Sequence, residues 1–320
     1  MLGRRAMRQS FLAIFLFCSL PVFADPIETA AAQGYTRLRL KQQAVANAHR
    51  PWVWEARRGE VTIWLAGCLH LGMEGDPAAY PHYLPYYQKA ERVYFEIAPG
   101  GMDTFEVRRL YQRRGYLKNG QSLEEVLPGD LWAEMRRTLG TKPQLLTKLS
   151  GMEPWQAAFQ LTHLNYERAG LARNFALEAF LIQQSSRDRK PVGGLEMAKD
   201  QILAFADSPP GEQNAFLRAS LRGYASGDRT ALAVRKAWME GNEADLRKQL
   251  DGNRPREDSN LHHSLIAARN QKWVERLQEI SEKTKQTLIV VGIEHLVTDE
   301  ADLPTLLGKQ GYTVRRLEKN

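Results

Sequence analysis

The chain has 320 residues, 43% hydrophobic and 25% charged, a balance that suits a folded globular protein and excludes collagen, a coiled-coil rod or a chain too polar to collapse. Its formal charge is +7, but three of the 44 basic residues, Arg4, Arg5 and Arg8, lie in residues 1–24, which hold no acid. A chain beginning at Asp25 therefore carries +4, too little to argue for nucleic acid as a partner.

Arg4, Arg5 and Arg8 precede an apolar run, Phe11 to Val22, that ends in Val22-Phe23-Ala24 before Asp25. A basic start, a short apolar stretch and a small residue before the break make a secretory signal, cleaved after Ala24. The run is too short for the ~20 apolar residues that span a bilayer. A lipid anchor at Cys18 is the alternative, opposed by bulky Phe17 where a small residue is wanted. Residues 25–320 are then a single exported domain, periplasmic or secreted, with no stable membrane span. Cleavage leaves Cys68 as the one cysteine, so neither an intramolecular disulfide nor a cysteine-rich zinc site is available.

A short helix is expected over Thr36–His49, then a strand and turn through Trp52-Val53-Trp54-Glu55 and Arg58-Gly59-Glu60. Val61 to Gly67 is almost wholly apolar, as in a strand covered on both faces, and leads into Cys68-Leu69-His70. A loop, a helix over Pro81–Glu91 and a second strand, Val93-Tyr94-Phe95, end at Glu96. A helical insertion occupies about residues 120–185, opened by a capping-box pattern at Ser122–Glu125. Pro191 to Leu195 is a short strand ending at Glu196, and helices are expected from near Ser208 and over Ser264–Ile280. Thr287 to Gly292 is an apolar strand running into Glu294-His295, followed by a helix over Leu303–Leu307 and a strand over Tyr312–Leu317.

Gly67-x-x-His70 and Gly292-x-x-His295 each follow an apolar strand and precede a helix and another strand. The expected fold is therefore α/β: a mixed, largely parallel sheet from two similar strand-helix-strand halves with the helical insertion between them. Ligands bind at the carboxyl ends of strands in such sheets, where His70, Glu96, Glu196 and His295 all fall. Two imidazoles with carboxylates suit a divalent metal, manganese for oxygen-rich sets and zinc or cobalt for nitrogen-rich ones. A glycine three residues before each His is expected to let the chain turn sharply. Each residue alone has a plainer explanation: a strand-end His is often solvated, and a strand-end Glu often caps a helix or pairs with an Arg. Cys68 and His70, two apart in extended chain, share a face, so Cys68 is either a soft ligand or a small buried apolar residue. Glu294 should point away from His295 if the strand persists.

Leu65 to Gly72, Val93 to Glu96, Pro154 to Ala158, Lys190 to Glu196 with Gln201, Arg269-Asn270 and Val290 to Leu296 fall in the order seen in TraB/GumN-type proteins. The chain resembles that family from about residue 50 to 317, and through it Tiki-type metalloproteases and, more distantly, the erythromycin esterase and ChaN-like group. The resemblance implies an active-site cleft in which His70, Glu96 and His295 hold the metal and Glu196 is a further member. Arg269, at the family's helical Arg position, is implied to bind a substrate carboxylate or stabilise an oxyanion. Family members commonly have Ser or Thr at Cys68, Gly-x-Asp at Ala176-Leu177-Glu178 and a Gly-bearing turn at Val297–Glu300, so altered substrate choice or lost activity stays open.

The expected activity is metal-dependent hydrolysis of a peptide or small acyl compound, with a divalent ion (Mn, Co or Zn) activating water, Glu196, or Glu96 where it is not a ligand, moving the proton and Arg269 stabilising negative charge. No His-Glu-x-x-His, Gly-x-Ser-x-Gly, Walker or Gly-x-Gly-x-x-Gly motif occurs, which removes commoner hydrolase types and nucleotide cofactors. The rivals are a non-catalytic metal or haem carrier and a partner-binding protein with a degenerate cleft. Arg113, Arg114, Arg136 and Arg137, scattered over helices among acids, suit a solvated surface rather than a nucleic-acid face.

Overall fold

The two most apolar segments of the sequence, Val61–Cys68 (β2) and Gln286–Gly292 (β5), lie side by side and parallel at the centre of a six-stranded sheet. The computed structural model describes residues 49–227, 229–251, 263–297 and 301–317. The signal segment with Cys18, the expected lead-in helix apart from His49, and Asp299-Glu300 lie outside the described residues.

Val53–Arg58 (β1) pairs antiparallel with β2; Arg92–Ile97 (β3), Val192–Glu196 (β4) and Thr313–Leu317 (β6) complete the order β4-β3-β5-β2-β1-β6. Strands β4, β3, β5 and β2 are parallel, and β1 is antiparallel to both of its neighbours. The fold is α/β with a mixed, largely parallel sheet, as the sequence indicates. The two units interleave rather than standing as separate blocks, because β5 inserts between β2 and β3.

The helices follow from the pattern of apolar spacing and caps. Asp76–Tyr83, a 3₁₀ segment, leads into Leu84–Lys89 (α1), and Thr104 caps Phe105–Gly115 (α2) by accepting the Val107 N–H. Leu123–Val126 (α3), Gly129–Leu139 (α4), Pro143–Ser150 (α5), Pro154–Arg168 (α6) and Leu177–Asp188 (α7) make up the expected insertion. At its start the Glu125 carboxylate accepts the Ser122 N–H at 2.7 Å and the Ser122 hydroxyl at 3.1 Å. Beyond β4 come Ala198–Ala206 (α8), Pro210–Ser226 (α9), Arg229–Glu240 (α10) and Glu243–Asp251 (α11). A π-helical turn, His263–Ala267, runs into Ala268–Lys283 (α12), and Glu294–Val297 (α13) and Leu303–Lys309 (α14) follow β5.

Two large hydrophobic clusters result, with a smaller one around Leu71, Tyr166 and Leu171. One covers the sheet, with Leu65, Ile289, Val291 and Trp273 fully or almost fully buried. The other joins α6, α8 and α9 through Trp155, Phe159, Phe205 and Phe216. Burying each such side chain contributes about 1.5–3 kcal/mol relative to exposure. Trp238 on α10 ties the second half of the chain to the first motif: its indole N–H donates to the Gly67 carbonyl at 3.1 Å, and its own carbonyl accepts the Trp52 indole N–H at 2.7 Å.

The motif glycines serve close approach rather than a turn, since neither Gly67 nor Gly292 has a positive φ. A Cβ on Gly67 would stand 2.4 Å from Ile293 Cδ1 and 3.1 Å from Leu296 Cδ1. Gly67→Val is therefore expected to lower stability by about 1–3 kcal/mol in urea unfolding. Gly129→Ala, at a helical position with nothing within 4 Å of the new Cβ, should stay at or above wild type. Equal behaviour of the two would contradict the packing role of Gly67.

Candidate functional site

Every strand-end residue singled out in the sequence converges on one buried cluster. Glu96 projects from β3, Glu196 ends β4 and pairs with Ile97 across the ladder, and His70 follows the end of β2 by two residues. His295 arrives differently from expectation. Strand β5 stops at Gly292, and Glu294 and His295 belong to the one-turn helix α13, so the alternation that would separate them does not apply. Cys68 pairs with Gly292, so the two Gly-x-x-His motifs are staggered by one residue. The helical turn carries His295 back toward His70.

Glu96 is the hub. Its Oε1 accepts the Gly292 N–H at 2.8 Å and lies 3.2 Å from His70 Nε2 and 3.8 Å from His295 Nε2. Its Oε2 accepts from Arg269 Nη2 at 2.7 Å. A Cβ on Gly292 would lie 2.9 Å from His70 Nε2 and 3.3 Å from Glu96 Oε1, so that glycine makes room for the cluster. Glu96 and His295 are completely buried, and His70 is 3% exposed.

Helix α12 brings the cationic partner. The Arg269 guanidinium donates through Nε and Nη2 to both Glu196 oxygens at 2.6–3.1 Å, and through Nη1 to the Leu265 carbonyl at 3.0 Å. Trp273, one turn on, donates its indole N–H to Glu196 Oε2 at 3.1 Å. Its ring lies 4.6 Å from the Arg269 carbon and 4.3 Å from the His295 ring. The π-helical turn directly before α12 sets this face, and such turns recur at functional sites.

The two carboxylates respond differently to burial. Desolvation works to raise Glu96, but Arg269 and the two imidazoles outweigh it and hold the carboxyl well below its usual range. Desolvation wins at Glu196, whose pKa is raised despite Arg269 and Trp273, with Glu96 adding repulsion. Glu196 is thus the better proton acceptor and donor of the pair.

Second partners fix the imidazoles. The Asn270 amide nitrogen donates to the carbonyls of His295 at 3.3 Å and Ala301 at 2.9 Å, which aims its Oδ1 at His295 Nδ1, 2.6 Å away. His70 Nδ1 lies 3.1 Å from Glu178 Oε2. A carbonyl and a carboxylate both accept, so a neutral imidazole at either position can carry its proton on Nδ1, and in that tautomer its Nε2 lone pair faces Glu96. Two lone pairs and a carboxylate oxygen facing one another are a donor set for a cation, with the outer partners arranged as around metal-bound histidines. His70, His295 and Glu96 are residue types that bind divalent ions, while the group whose donor atoms all lie within 4.8 Å of one another among the described residues is Cys68, His70 and Glu178.

The expected oxyanion role of Arg269 needs revision in its form, because its N–H groups are directed at Glu96, Glu196, the Leu265 carbonyl and, at 3.4 Å, His295 Nε2. It reaches the cluster as a fixed charge. Sequence reasoning also passed over three contributors. Glu178 entered only as a departure from a motif, Asn270 only as a neighbour of Arg269, and Trp273 not at all. The one advance signal was the α12 spacing, which sets Arg269 and Trp273 on one face.

Open space lies on the Glu196 side of the cluster, and His70, Glu96 and His295 line neither of its two cavities. Two cavities, ≈ 700 and ≈ 720 Å³, share Glu196, Met197 and Leu203 as wall; Arg269 and Trp273 line the second. The first is mainly apolar, with Ile97, Val107 and Leu110. On the far side of His70, Cys68, His70 and Glu178 have donor atoms all within 4.8 Å of one another.

Arg269→Met is expected to cost about 3–5 kcal/mol at neutral pH by stranding two buried carboxylates. The deficit should shrink toward acid pH. Glu96, with its folded pKa below the unfolded one, adds stability above the unfolded value, and this is lost as pH falls through the folded value. Without Arg269 that contribution reverses sign, and protonation relieves it. Urea midpoints of both proteins between about pH 7 and pH 4 check this, and a deficit that grows on acidification would contradict it.

No curated protein and no solved structure matches the chain. A family model does match, over residues 52–316, spanning both Gly-x-x-His motifs, all six strands except the last residue of β6, and the helices that carry Glu178 and Arg269. The chain belongs to the TraB/PrgY/gumN family.

Proposed function

We propose that this protein is an exported, metal-dependent hydrolase acting on peptides or small acyl compounds. The observation that carries this reading is the pair of imidazoles whose Nδ1 atoms face Glu178 and Asn270 while both Nε2 atoms lie 3.2 and 3.8 Å from one oxygen of Glu96. His70, His295 and Glu96 would hold the ion, which would be Mn, Co or Zn. When bound, such an ion supplies Lewis acidity, polarising a carbonyl and making water acidic enough to attack near neutral pH.

The remaining roles belong to the chain's own side chains. Glu196, on the wall shared by the two cavities, takes the proton of the attacking water and returns it to the leaving group. Arg269 and Trp273 hold that carboxylate by four hydrogen bonds, and the fixed Arg269 charge would favour negative charge developing on the attacked oxygen. The substrate approaches through the cavities, with the apolar one taking a hydrophobic group. With no helix among the described residues long and apolar enough to cross a membrane, the cleft is read as facing aqueous solution.

The metal or haem carrier remains the second reading, favoured by the enclosure of the three ligands, none more than 3% exposed. Metal analysis and turnover separate the two. His70→Ala, His295→Ala and Glu96→Gln should each lose the bound ion and abolish hydrolysis of a peptide or ester pool. Glu196→Gln should keep the ion and lose about 10²–10⁴-fold in rate. An ion-loaded wild type with no turnover would favour the carrier, and full activity in His295→Ala would refute the hydrolase reading. Asn270→Ala, which frees the His295 ring without removing a ligand, is expected to weaken metal affinity about 10–100-fold, as measured by competition with a chelating indicator.

A further inference from the structure

Two nitrogens of one imidazole face two different donor sets. His70 Nε2 looks toward Glu96, while Nδ1 lies 3.1 Å from Glu178 Oε2 and 3.8 Å from Cys68 Sγ. A tetrahedral zinc-like ion with metal–sulfur bonds of about 2.3 Å and metal–nitrogen bonds of about 2.0–2.1 Å sets its ligand atoms roughly 3.4–3.6 Å apart. The two separations from Nδ1, 3.1 and 3.8 Å, bracket that value, and all three donor atoms lie within 4.8 Å of one another.

The backbone holds the three residues in this arrangement. Cys68 ends β2, and its Sγ lies 3.8 Å from Nδ1 of His70, two residues beyond the strand. Gly72 and Ala172 exchange N–H to carbonyl bonds at 2.9 and 2.8 Å, tying the chain after His70 to the segment that leads into α7 and Glu178. A Cβ on Gly72 would stand 2.1 Å from the Phe175 carbonyl oxygen, which also accepts the Tyr80 hydroxyl at 2.6 Å. Cys68 is fully buried and the Glu178 side chain is 12% exposed, which makes Glu178 the entry side.

We propose that Cys68, His70 and Glu178 form a second metal site, taking a soft or borderline divalent ion such as zinc or cadmium through sulfur, Nδ1 and a carboxylate oxygen, and that its occupation withdraws His70 from the Glu96 side. Ligation exchanges the thiol proton for the ion, the proton leaving to solvent, with no change of oxidation state. A neutral imidazole ligating through Nδ1 carries its proton on Nε2 and donates it to Glu96, so it offers no lone pair there. The two sites share one histidine and exclude each other. The binding half stands alone; the exclusion half rests on the hydrolase reading of His70, Glu96 and His295.

Cadmium titration of the reduced full-length chain, followed through the near-ultraviolet thiolate-to-metal charge-transfer band, tests the site. One equivalent should develop the band in wild type, in Cys18→Ser and in His295→Ala; Cys68→Ser should develop none, and Glu178→Gln should need at least tenfold more cadmium. A band that survives Cys68→Ser, or saturable cadmium binding without a band, would overturn the site. Exclusion is read on manganese-loaded protein, where cadmium should release the manganese from wild type and at least tenfold less effectively from Cys68→Ser. Retention of manganese while the band grows would overturn exclusion. Loss of the His295 reading, seen as no manganese binding at all, would leave the charge-transfer result standing as a separate finding and would remove exclusion.

Discussion

One carboxylate oxygen, Glu96 Oε1, organises the centre of this molecule: it accepts a backbone N–H from Gly292 and has the Nε2 atoms of His70 and His295 turned toward it from opposite chain segments. Its partner oxygen is tied to Arg269, which reaches on to Glu196. Burying a charge this deeply is costly unless it is paired and hydrogen-bonded. Here Glu96 and Glu196 share the Arg269 guanidinium, while Glu178 faces His70.

The sheet makes the meeting possible. Because β4, β3, β5 and β2 are adjacent and parallel, their carboxyl ends lie along one edge, and residues separated by more than 200 positions in sequence become neighbours. The two motif glycines contribute by absence of volume. Gly67 makes room for Ile293 and Leu296 beneath the site, and Gly292 makes room for His70 and Glu96 within it. Helix α12 then closes the cluster with Arg269, Asn270 and Trp273 from successive positions around its first two turns.

Much of this was legible in the sequence because strand ends are local events. Apolar runs terminated by His70, Glu96, Glu196 and His295 can be recognised without knowing which strands touch, and the fold class follows from the same runs. What escaped depends on tertiary docking. Glu178 sits in the first turn of a helix whose placement is set by the Gly72–Ala172 bridge, and nothing near residue 178 announces His70 as its partner. Asn270 acts through two carbonyls and a ring nitrogen brought in by α13. The stagger between the two motifs hid the helical path to His295, since identical spacing suggested identical geometry.

Nitrogen NMR of the histidine side chains in the metal-free protein, with His70 and His295 assigned by substitution, tests the Nδ1–H tautomers most directly. Both imidazoles should be protonated at Nδ1 and bare at Nε2 at neutral pH, with the Nε2 resonances moving when a divalent ion is added. An Nε2–H tautomer at either residue, or Nε2 signals indifferent to the ion, would contradict a centre built to present two lone pairs to a cation beside Glu96.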